Sequence, residues 1–541
     1  MKNTRRFLAI LMALMMIMST SALALSEPGV LPISDETITL TVGYPQSAVI
    51  EDIETAGQTL RLEQDLNVNL EFVELPTGNE FTQKVELMMM SGDDLPDIIM
   101  GDFALENLIK YGEMGAIIPV NEYYETQAYF TNETLAANGL DINDMLPYVT
   151  AYDGNIYGLF RFHGFLNNSL SGARMLVYKP WLDALGMEMP QTTDEFAEML
   201  RRFVKEDPNG NGVADEIGLM GCTNYLKTNF TQFLMNPFIY TAEDYLLPLS
   251  ETTDGKIGFA ANKPEWKEGL KWIKSLIDEG LISPLTFTQD NAQLTAIMNP
   301  EPEVVGCVAR ISATNLGATD VRRGHYTALY PLQGPAGQRN HQWKEQVPSV
   351  KMVITSACEN PEAAFRLGDY MCSEVMSIWN RYGEEGKDWV KPGPDAIGTM
   401  EKLGFEPFME VTSTWGVLQN SWWAQIGPYI LTDKVTCGQS VTPDTLAYNA
   451  AYWMAQHIDG ELTYNEPAVV GLVYNEEETE VVIEYQKTIE TYVQQSFAEF
   501  VTGVRDIDAE WDKYVAEFDK MGLNEYMDAV NSCYARMFAA E

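Results

Sequence analysis

One loop of the chain has side chains suited to binding a hard cation. Residues 207–216 read Asp-Pro-Asn-Gly-Asn-Gly-Val-Ala-Asp-Glu. In an EF-hand-like loop, the oxygen ligands would come from Asp207, Asn209, Asn211, the Val213 carbonyl and Asp215. Gly212 stands where such a loop bends sharply, but Gly218 replaces the final bidentate Glu, whose oxygens Glu216 would have to supply. The pattern predicts calcium, and the alternative is an Asx-rich turn after a helix.

A second segment has the residue types that bind sugar rings. Trp415, Trp422 and Trp423 lie close together in the sequence, and Tyr429 follows shortly after. The neutral polar residues around them are Thr412, Ser413, Gln419, Asn420, Ser421 and Gln425. Flat apolar faces beside uncharged donors and acceptors fit a sugar, which has CH faces and hydroxyl edges. The segment predicts a carbohydrate cleft, and the alternative is that these tryptophans are core residues.

Composition and missing motifs exclude several other functions. The 541 residues contain 78 Asp and Glu against 35 Lys and Arg, a formal net charge of −43. This charge excludes nucleic acid as a partner and disfavours strongly anionic ligands. An anionic sugar such as alginate would need Arg161, Arg174 or Lys179 in the cleft. The sequence has no GxSxG, HExxH or Walker A motif and no CxxC pair among its six cysteines.

The first 24 residues have the features of an export signal. Lys2, Arg5 and Arg6 precede an uninterrupted apolar run at 7–18, and Ala22-Leu23-Ala24 forms a small-x-small cleavage site. The run is shorter than the roughly 20 residues of a membrane-spanning helix. We expect secretion with cleavage after Ala24, and the alternative is an N-terminal anchor. No cysteine precedes Cys222, so lipid attachment is not expected.

The elements that must position these residues alternate between strand and helix. Strands are predicted at 37–44, 67–75 and 95–102, with helices at 48–64, around 81–89 and after 105. This order predicts a parallel sheet covered by helices, and such sheets bind ligands at the carboxyl ends of their strands. The residues at those ends are Tyr44, Gln46, Asp102 and Phe103. Later segments predict short strands at 175–179 and 304–310, and almost continuous helix at 479–540.

Several segments resemble the extracellular solute-binding proteins of bacterial ABC importers (family 1), in the long oligosaccharide-binding branch that includes alginate-oligosaccharide binders. The matching segments are DLPDII (94–99), YDGNIYG (152–158), the block at 177–219, PEAAFRLGDYMCS (361–373), RYGEEGKDW (381–389) and the C-terminal stretch at 499–523. Leu159-Phe160 departs from the family, which turns to proline there. The resemblance covers most of the mature chain.

The resemblance implies an α/β fold of the type II periplasmic-binding-protein kind, with two hinge-connected lobes and extra C-terminal helices. After the signal peptide (1–24), it implies a first lobe at 36–125 plus 348–390. The second lobe, a mostly helical α/β unit, would comprise 126–347 plus 391–541. The calcium would be structural, with the implied ligands Asp207, Asn209, Asn211, Val213, Asp215 and Glu216.

We expect the protein to capture a carbohydrate and deliver it to the membrane subunits of an ABC importer. The carbohydrate is expected to be an oligosaccharide. The protein would be an extracytoplasmic monomer, and no bond would be broken, so it would not be an enzyme. The expected sugar contacts are Tyr44, Gln46, Asp102, Phe103, Trp415, Trp422 and Trp423. The alternatives are a secreted glycoside hydrolase, a binding protein for a peptide or another small solute, and an adhesion or scaffold protein.

Overall fold

The structure is a computed structural model. It describes residues 24–164, 175–222, 231–241, 249–253, 256–310, 316, 320–340, 347–441, 452, 455 and 471–538. All but the last residue of the predicted signal peptide lies outside the described residues, and so does Arg174. Within the described ranges, no helix combines the length and the apolar character that a membrane crossing requires.

The strands in chain order are β1 (Ile38–Pro45), β2 (Val68–Leu75), β3 (Ile98–Met100), β4 (Leu159–His163), β5 (Met175–Tyr178), β6 (Ile217–Met220), β7 (Leu249–Thr253), β8 (Lys256–Phe259), β9 (Val305–Ala309), β10 (Tyr326–Ala328), β11 (Ser349–Ile354), β12 (Trp389–Val390), β13 (Ile397–Gly398), β14 (Glu410–Val411), β15 (Tyr429–Leu431) and β16 (Ser440–Val441). The helices are α1 (Gly57–Leu66), α2 (Gly78–Ser91), α3 (Leu105–Glu113), α4 (Asn121–Thr126), α5 (Tyr129–Ala136), α6 (Ile142–Met145), α7 (Lys179–Leu185), α8 (Thr193–Lys205), α9 (Thr231–Met235), α10 (Pro264–Asp278), α11 (Asn291–Met298), α12 (Pro361–Met371), α13 (Glu374–Tyr382), α14 (Asp433–Thr436), α15 (Glu476–Val501), α16 (Ile507–Lys520) and α17 (Leu523–Phe538).

A six-stranded sheet has the order β15-β4-β11-β3-β1-β2. β1 pairs in parallel with β2 and β3, as the alternating sequence pattern predicted. β11 runs antiparallel to both β3 and β4, and β15 is parallel to β4. Five strands therefore point the same way, and their carboxyl ends lie on one edge together with the amino end of β11. The α/β fold class is confirmed.

A second, four-stranded sheet has the order β10-β5-β9-β6. Its core contains Trp181, Phe203 and Trp266, each at most 2% exposed. The C-terminal helices α15, α16 and α17 pack on the same core through residues such as Phe497 and Tyr514. The predicted strands at 175–179 and 304–310 and the predicted C-terminal helices are therefore confirmed.

The buried residues form two large cores that correspond to the two sheets. The first contains residues between 33 and 163 and between 350 and 430. The second contains residues between 175 and 332 and between 482 and 530. β4 (159–163) and β15 (429–431), which lie in ranges that the sequence assigned to the second lobe, are strands of the first sheet. β4 pairs with β11, and β15 pairs with β4.

Candidate functional site

The carboxyl edge of the first sheet brings together polar side chains from four strands. Asp102 follows β3, Lys351 lies on β11, and Tyr429 begins β15. Arg161 and His163 are two residues apart on β4, so they lie on the same face of the sheet. Tyr429 is the register partner of Arg161. We define the edge cluster as Asp102, Arg161, His163, Lys351, Arg381, Gln425 and Tyr429.

Asp102 is the carboxylate of the edge cluster, and two cations face it. Its Oδ1 lies 2.5 Å from Lys351 Nζ and 3.7 Å from Arg161 Nη2. Burial raises the pKa of Asp102, but Lys351 and Arg161 lower it by more, so the group is ionised. Burial and Arg161 lower the pKa of Lys351 to about 8 against the opposing effect of Asp102. Arg161 Nε also donates to Ser349 Oγ at 3.1 Å, which fixes the guanidinium.

His163 is a neutral member of the edge cluster. Its Nδ1 lies 3.4 Å from Tyr429 Oη, and Gln425 Nε2 donates to the same hydroxyl at 3.0 Å. Burial lowers the pKa of His163 to about 3, and the positive charges of Arg381 and Arg161 lower it as well. Both guanidinium groups therefore lie close enough to His163 to repel a proton there.

A strained turn brings Gln425 into the edge cluster. Ala424 and Gln425 have φ values of 51° and 70°, in the left-handed region that residues with a Cβ seldom adopt. The Gln425 N–H donates to the Asn380 carbonyl at 3.0 Å, which holds the turn in place. Backbone strain of this kind concentrates at binding sites, where the surrounding structure maintains it.

The three predicted tryptophans have different environments. Trp415 is 39% exposed, and the guanidinium carbon of Arg381 lies 4.1 Å from its ring centroid. Trp422 is 4% exposed, and its indole N–H is buried without an acceptor among the described residues. Trp423 is fully buried, its Nε1 donates to Thr59 Oγ1 at 2.8 Å, and it packs against Phe72. Trp423 is therefore packed in the first core, with its ring covered on all sides.

The other predicted contact residues lie at the same edge but differ in accessibility. The ring of Tyr44 packs 5.6 Å from that of Phe72, and its hydroxyl donates to Glu74 at 3.4 Å. Burial and Glu74 raise the pKa of Tyr44 to about 12. Gln46 is exposed, and the partly buried Phe103 packs against the first core.

Sequence reasoning missed Lys351, Arg381 and His163. Lys351 had a detectable signal, since it is a charged residue within the apolar strand SVKMVI and is 6% exposed. Arg161 and His163 also alternate with apolar residues in β4. Arg381 is at the end of α13 and had no such signal, because only the fold brings it beneath Trp415.

The loop at 207–216 connects α8 to β6 in the second unit. Asp207 accepts from the N–H groups of Asn211 and Gly212 at 3.1 and 3.0 Å, through a different oxygen for each. Asn211 Nδ2 donates to Asp215 Oδ1 at 3.1 Å. Gly212 has a φ of 75° and open space at its Cβ position, in keeping with the bend expected there. These bonds are also those of an Asx-rich turn.

Glu216 distinguishes this loop from an ordinary turn. The residue is 8% exposed, and its Oε1 is buried without a hydrogen-bond partner among the described residues. Burial raises the pKa of Glu216, and the negative charges of Asp207 and Asp215 raise it further. In the described ranges, no group of three or more His, Cys, Asp or Glu side chains is arranged as a metal site. The donor set of the loop is instead a mixture of carboxylates, Asn oxygens and a main-chain carbonyl, which fits calcium.

No protein-family model matches the chain. The chain is similar to the fructooligosaccharide ABC transporter substrate-binding protein FusA of Streptococcus pneumoniae, with 27% identity over 488 residues, 89% of this chain and 86% of FusA. The structure of FusA in complex with kestose superimposes with a TM-score of 0.74 at 25% identity, over 93% of this chain and 100% of that chain. An EF-hand mutant of FusA in complex with fructo-nystose gives a TM-score of 0.73 at the same identity and coverage.

Two further solved structures share the fold. An extracellular solute-binding protein from Bifidobacterium longum subsp. infantis has a TM-score of 0.69 at 22% identity, over 92% of this chain and 98% of that one. The alginate-binding protein AlgQ2 without calcium ion has a TM-score of 0.65 at 19% identity, over 93% and 98%. The chain is thus a homologue of the substrate-binding proteins of ABC transporters and has their two-lobe α/β fold. The relatives named here are binding proteins.

Proposed function

We propose that this protein is an extracytoplasmic binding protein that captures an oligosaccharide and delivers it unchanged to an ABC importer. The similarity to FusA supports this proposal because it extends over 89% of the chain. The observation that carries it is the exposed ring of Trp415 beside the edge cluster, at the carboxyl edge of the first sheet. Such an edge is where open α/β sheets bind ligands.

Each part of the edge cluster has a role suited to a sugar. Trp415 supplies an apolar face for a sugar ring, and Asp102 accepts hydrogen bonds from hydroxyl groups. Arg161, Arg381 and Gln425 donate to ring and hydroxyl oxygens. We assign no direct sugar contact to Trp423, and Tyr44 and Phe103 act as packing residues beneath the site, while Gln46 is accessible at its border.

We propose that residues 24–163 and 347–441 form one lobe and residues 175–340 and 471–538 the other. The chain then passes between the proposed lobes three times, after residues 164, 340 and 455. The second lobe would close over the sugar held by the first. Closure would be stabilised because only the closed form lets both lobes contact the ligand.

We propose that the loop at 207–216 binds one calcium ion with a structural role. The ligands would be Asp207, Asn209, Asn211, Val213 through its carbonyl, Asp215 and Glu216. The buried, unpartnered Glu216 oxygen beside two carboxylates supports this, because a cation would compensate their charges. The loop lies in the second unit and is attached to it by the bond from Asn209 Nδ2 to the Glu303 carbonyl at 3.2 Å.

We propose that residues 1–24 are removed on export and that the mature protein carries no lipid. The basic start, the apolar run and Ala22-Leu23-Ala24 support cleavage, and the absence of a cysteine before Cys222 supports the lack of lipid. Intact mass of the exported protein tests both points. Retention of residues 1–24 or an added acyl mass would contradict the proposal.

A ligand screen by thermal unfolding tests the proposed function. The mature chain, with calcium present, is heated with each member of an oligosaccharide panel that includes kestose. A ligand at 100 times its Kd should stabilise the protein by about 2.7 kcal/mol. If no oligosaccharide raises the unfolding temperature while a peptide or another small solute does, the proposed ligand class is wrong. If a sugar is cleaved during incubation, as chromatography would show, the protein is a hydrolase.

A further inference from the structure

The charges at the edge cluster point to the chemical type of the oligosaccharide. We infer that the bound sugar is acidic and that Arg161 and Arg381 bind the carboxylate of one of its rings. The inference rests on the proposed function, since it concerns the same site. It also reverses the expectation from net charge, which disfavoured anionic ligands.

The edge cluster is positively charged on a strongly negative protein. Its cations are Arg161, Lys351 and Arg381, and its carboxylate is Asp102. His163 contributes no charge because it is neutral. The cluster therefore carries an excess of two positive charges, in a chain where acidic residues outnumber basic ones by 78 to 35. A local excess of this sign attracts an anion at short range even though the whole molecule is negative.

Asp102 does not neutralise both arginines. Its Oδ1 is engaged by Lys351 at 2.5 Å, whereas Arg161 Nη2 is 3.7 Å away. Arg161 directs its Nε at the neutral Ser349 hydroxyl instead. Its guanidinium therefore has donors available for a second, stronger acceptor.

Arg381 is the stronger indication of an anionic ligand. Among the described residues it forms no ion pair, and its Nε is buried without a hydrogen-bond acceptor. Its contacts are with aromatic rings, at 4.1 Å from the Trp415 centroid and 5.0 Å from that of Tyr382. A partly desolvated guanidinium without a counter-charge is unfavourable. A carboxylate would supply both the charge and the planar pair of acceptors that guanidinium binds best.

The two guanidinium groups converge on one place. Tyr429 is the register partner of Arg161 and accepts a hydrogen bond from Gln425 Nε2. The Gln425 N–H donates to the carbonyl of Asn380, the residue before Arg381, and both guanidinium groups lower the pKa of His163. The Arg381 guanidinium covers one face of the Trp415 indole, so a sugar ring would stack on the other face, and its carboxylate would reach Arg381 around the edge of the indole. The geometry thus combines an apolar platform with two cations, which matches a pyranose ring that bears a carboxylate.

Calorimetry with matched ligands tests the inference. The ligands are short oligomers of galacturonate, mannuronate and guluronate, the methyl ester of each, a sulfated oligosaccharide and the neutral kestose. We expect at least one acidic oligomer to bind at least tenfold more tightly than its ester, with an affinity that falls as salt increases from 25 to 200 mM. If kestose or an ester binds as tightly as every acid, or if a sulfated oligosaccharide binds and no uronate does, the inference is wrong while the proposed function stands. If no carbohydrate binds, the proposed function itself fails.

Substitutions assign the effect to the two arginines. Arg381→Gln and Arg161→Gln should each weaken the acidic ligand at least tenfold and change binding of its methyl ester much less. Arg381→Lys keeps the charge and should recover part of the affinity. Arg201→Gln is the control, because this surface arginine pairs with Glu279 in the second unit. If the acid and its ester lose affinity equally in the Gln variants, the arginines only position the site, and the assignment is overturned.

Discussion

Trp415 and Trp423 are eight residues apart, and we expect them to have opposite roles. Trp423→Ala should lower the free energy of unfolding by about 3–5 kcal/mol, because it removes a fully buried indole from the first core. Trp415→Ala should barely change stability, because the ring is 39% exposed, but it should weaken sugar binding by about 2 kcal/mol. Urea unfolding and calorimetry measure the two effects. Trp415→Phe retains an aromatic face and should bind better than the Ala variant. Normal binding by Trp415→Ala would remove this residue from the site.

His163 should make the protein less stable in acid. Burial, Arg381 and Arg161 lower its pKa to about 3 in the folded state, against 6.5 for an unperturbed side chain. The unfolded chain therefore binds a proton that the folded chain excludes, and stability falls as pH decreases from 6.5 towards 3. At pH 5 the excluded proton lowers the free energy of unfolding by about 2 kcal/mol. Urea unfolding at pH 7 and pH 5 should show a smaller difference in stability for His163→Gln than for the parent, and an equal difference in both would contradict the prediction.

At this scale, sequence reasoning identified residue types better than positions. The tryptophan-rich segment was recognised, but Trp423 is buried and Trp415 is not. Trp423 is held in the core by hydrogen bonds to Gln58 and Thr59, which lie 364 residues or more away in sequence. The turn at Ala424 and Gln425 was also unpredictable, because neither residue type favours a positive φ.

Among the elements, the loop between α8 and β6 should respond to calcium. Chelation should lower the unfolding temperature of the parent protein, because the ion stabilises only the folded state. Asp207→Ala removes a proposed ligand and should abolish most of that difference. Asp141→Ala is a matched control, since Asp141 also accepts from a main-chain N–H, that of Asn143, at the amino end of α6. Thermal unfolding with calcium and with chelator measures the effect, and no response in the parent would contradict the proposed site.

Local patterns predicted the elements well where neighbours in sequence are neighbours in space. The predicted alternation of strand and helix was correct for β1, α1, β2, α2 and β3. The predicted helix at 48–64 begins only at Gly57, because Ile50 and Glu51 pair with Gln419 in the distant tryptophan loop. The strands β4 and β15 were missed as members of the first sheet, because their partners lie far away in the chain.

For the whole molecule, we expect the ligand to bring the proposed lobes together. Small-angle X-ray scattering should show a smaller radius of gyration with the cognate sugar than without it, because closure moves one lobe towards the other. Trp415→Ala at the same sugar concentration should stay near the value of the free protein. An unchanged radius at saturating sugar would mean that the site is used without closure.

The central position of β11 affects the order in which the molecule can fold. β11 lies between β4 and β3, yet it begins at Ser349, almost two hundred residues after β4 begins at Leu159. A nascent chain that has reached residue 340 therefore has the two parts of its first sheet without the strand that joins them. The second core likewise waits for the helices that start at Glu476. Such late, long-range pairing slows folding, so neither core can be completed until most of the chain has been synthesised.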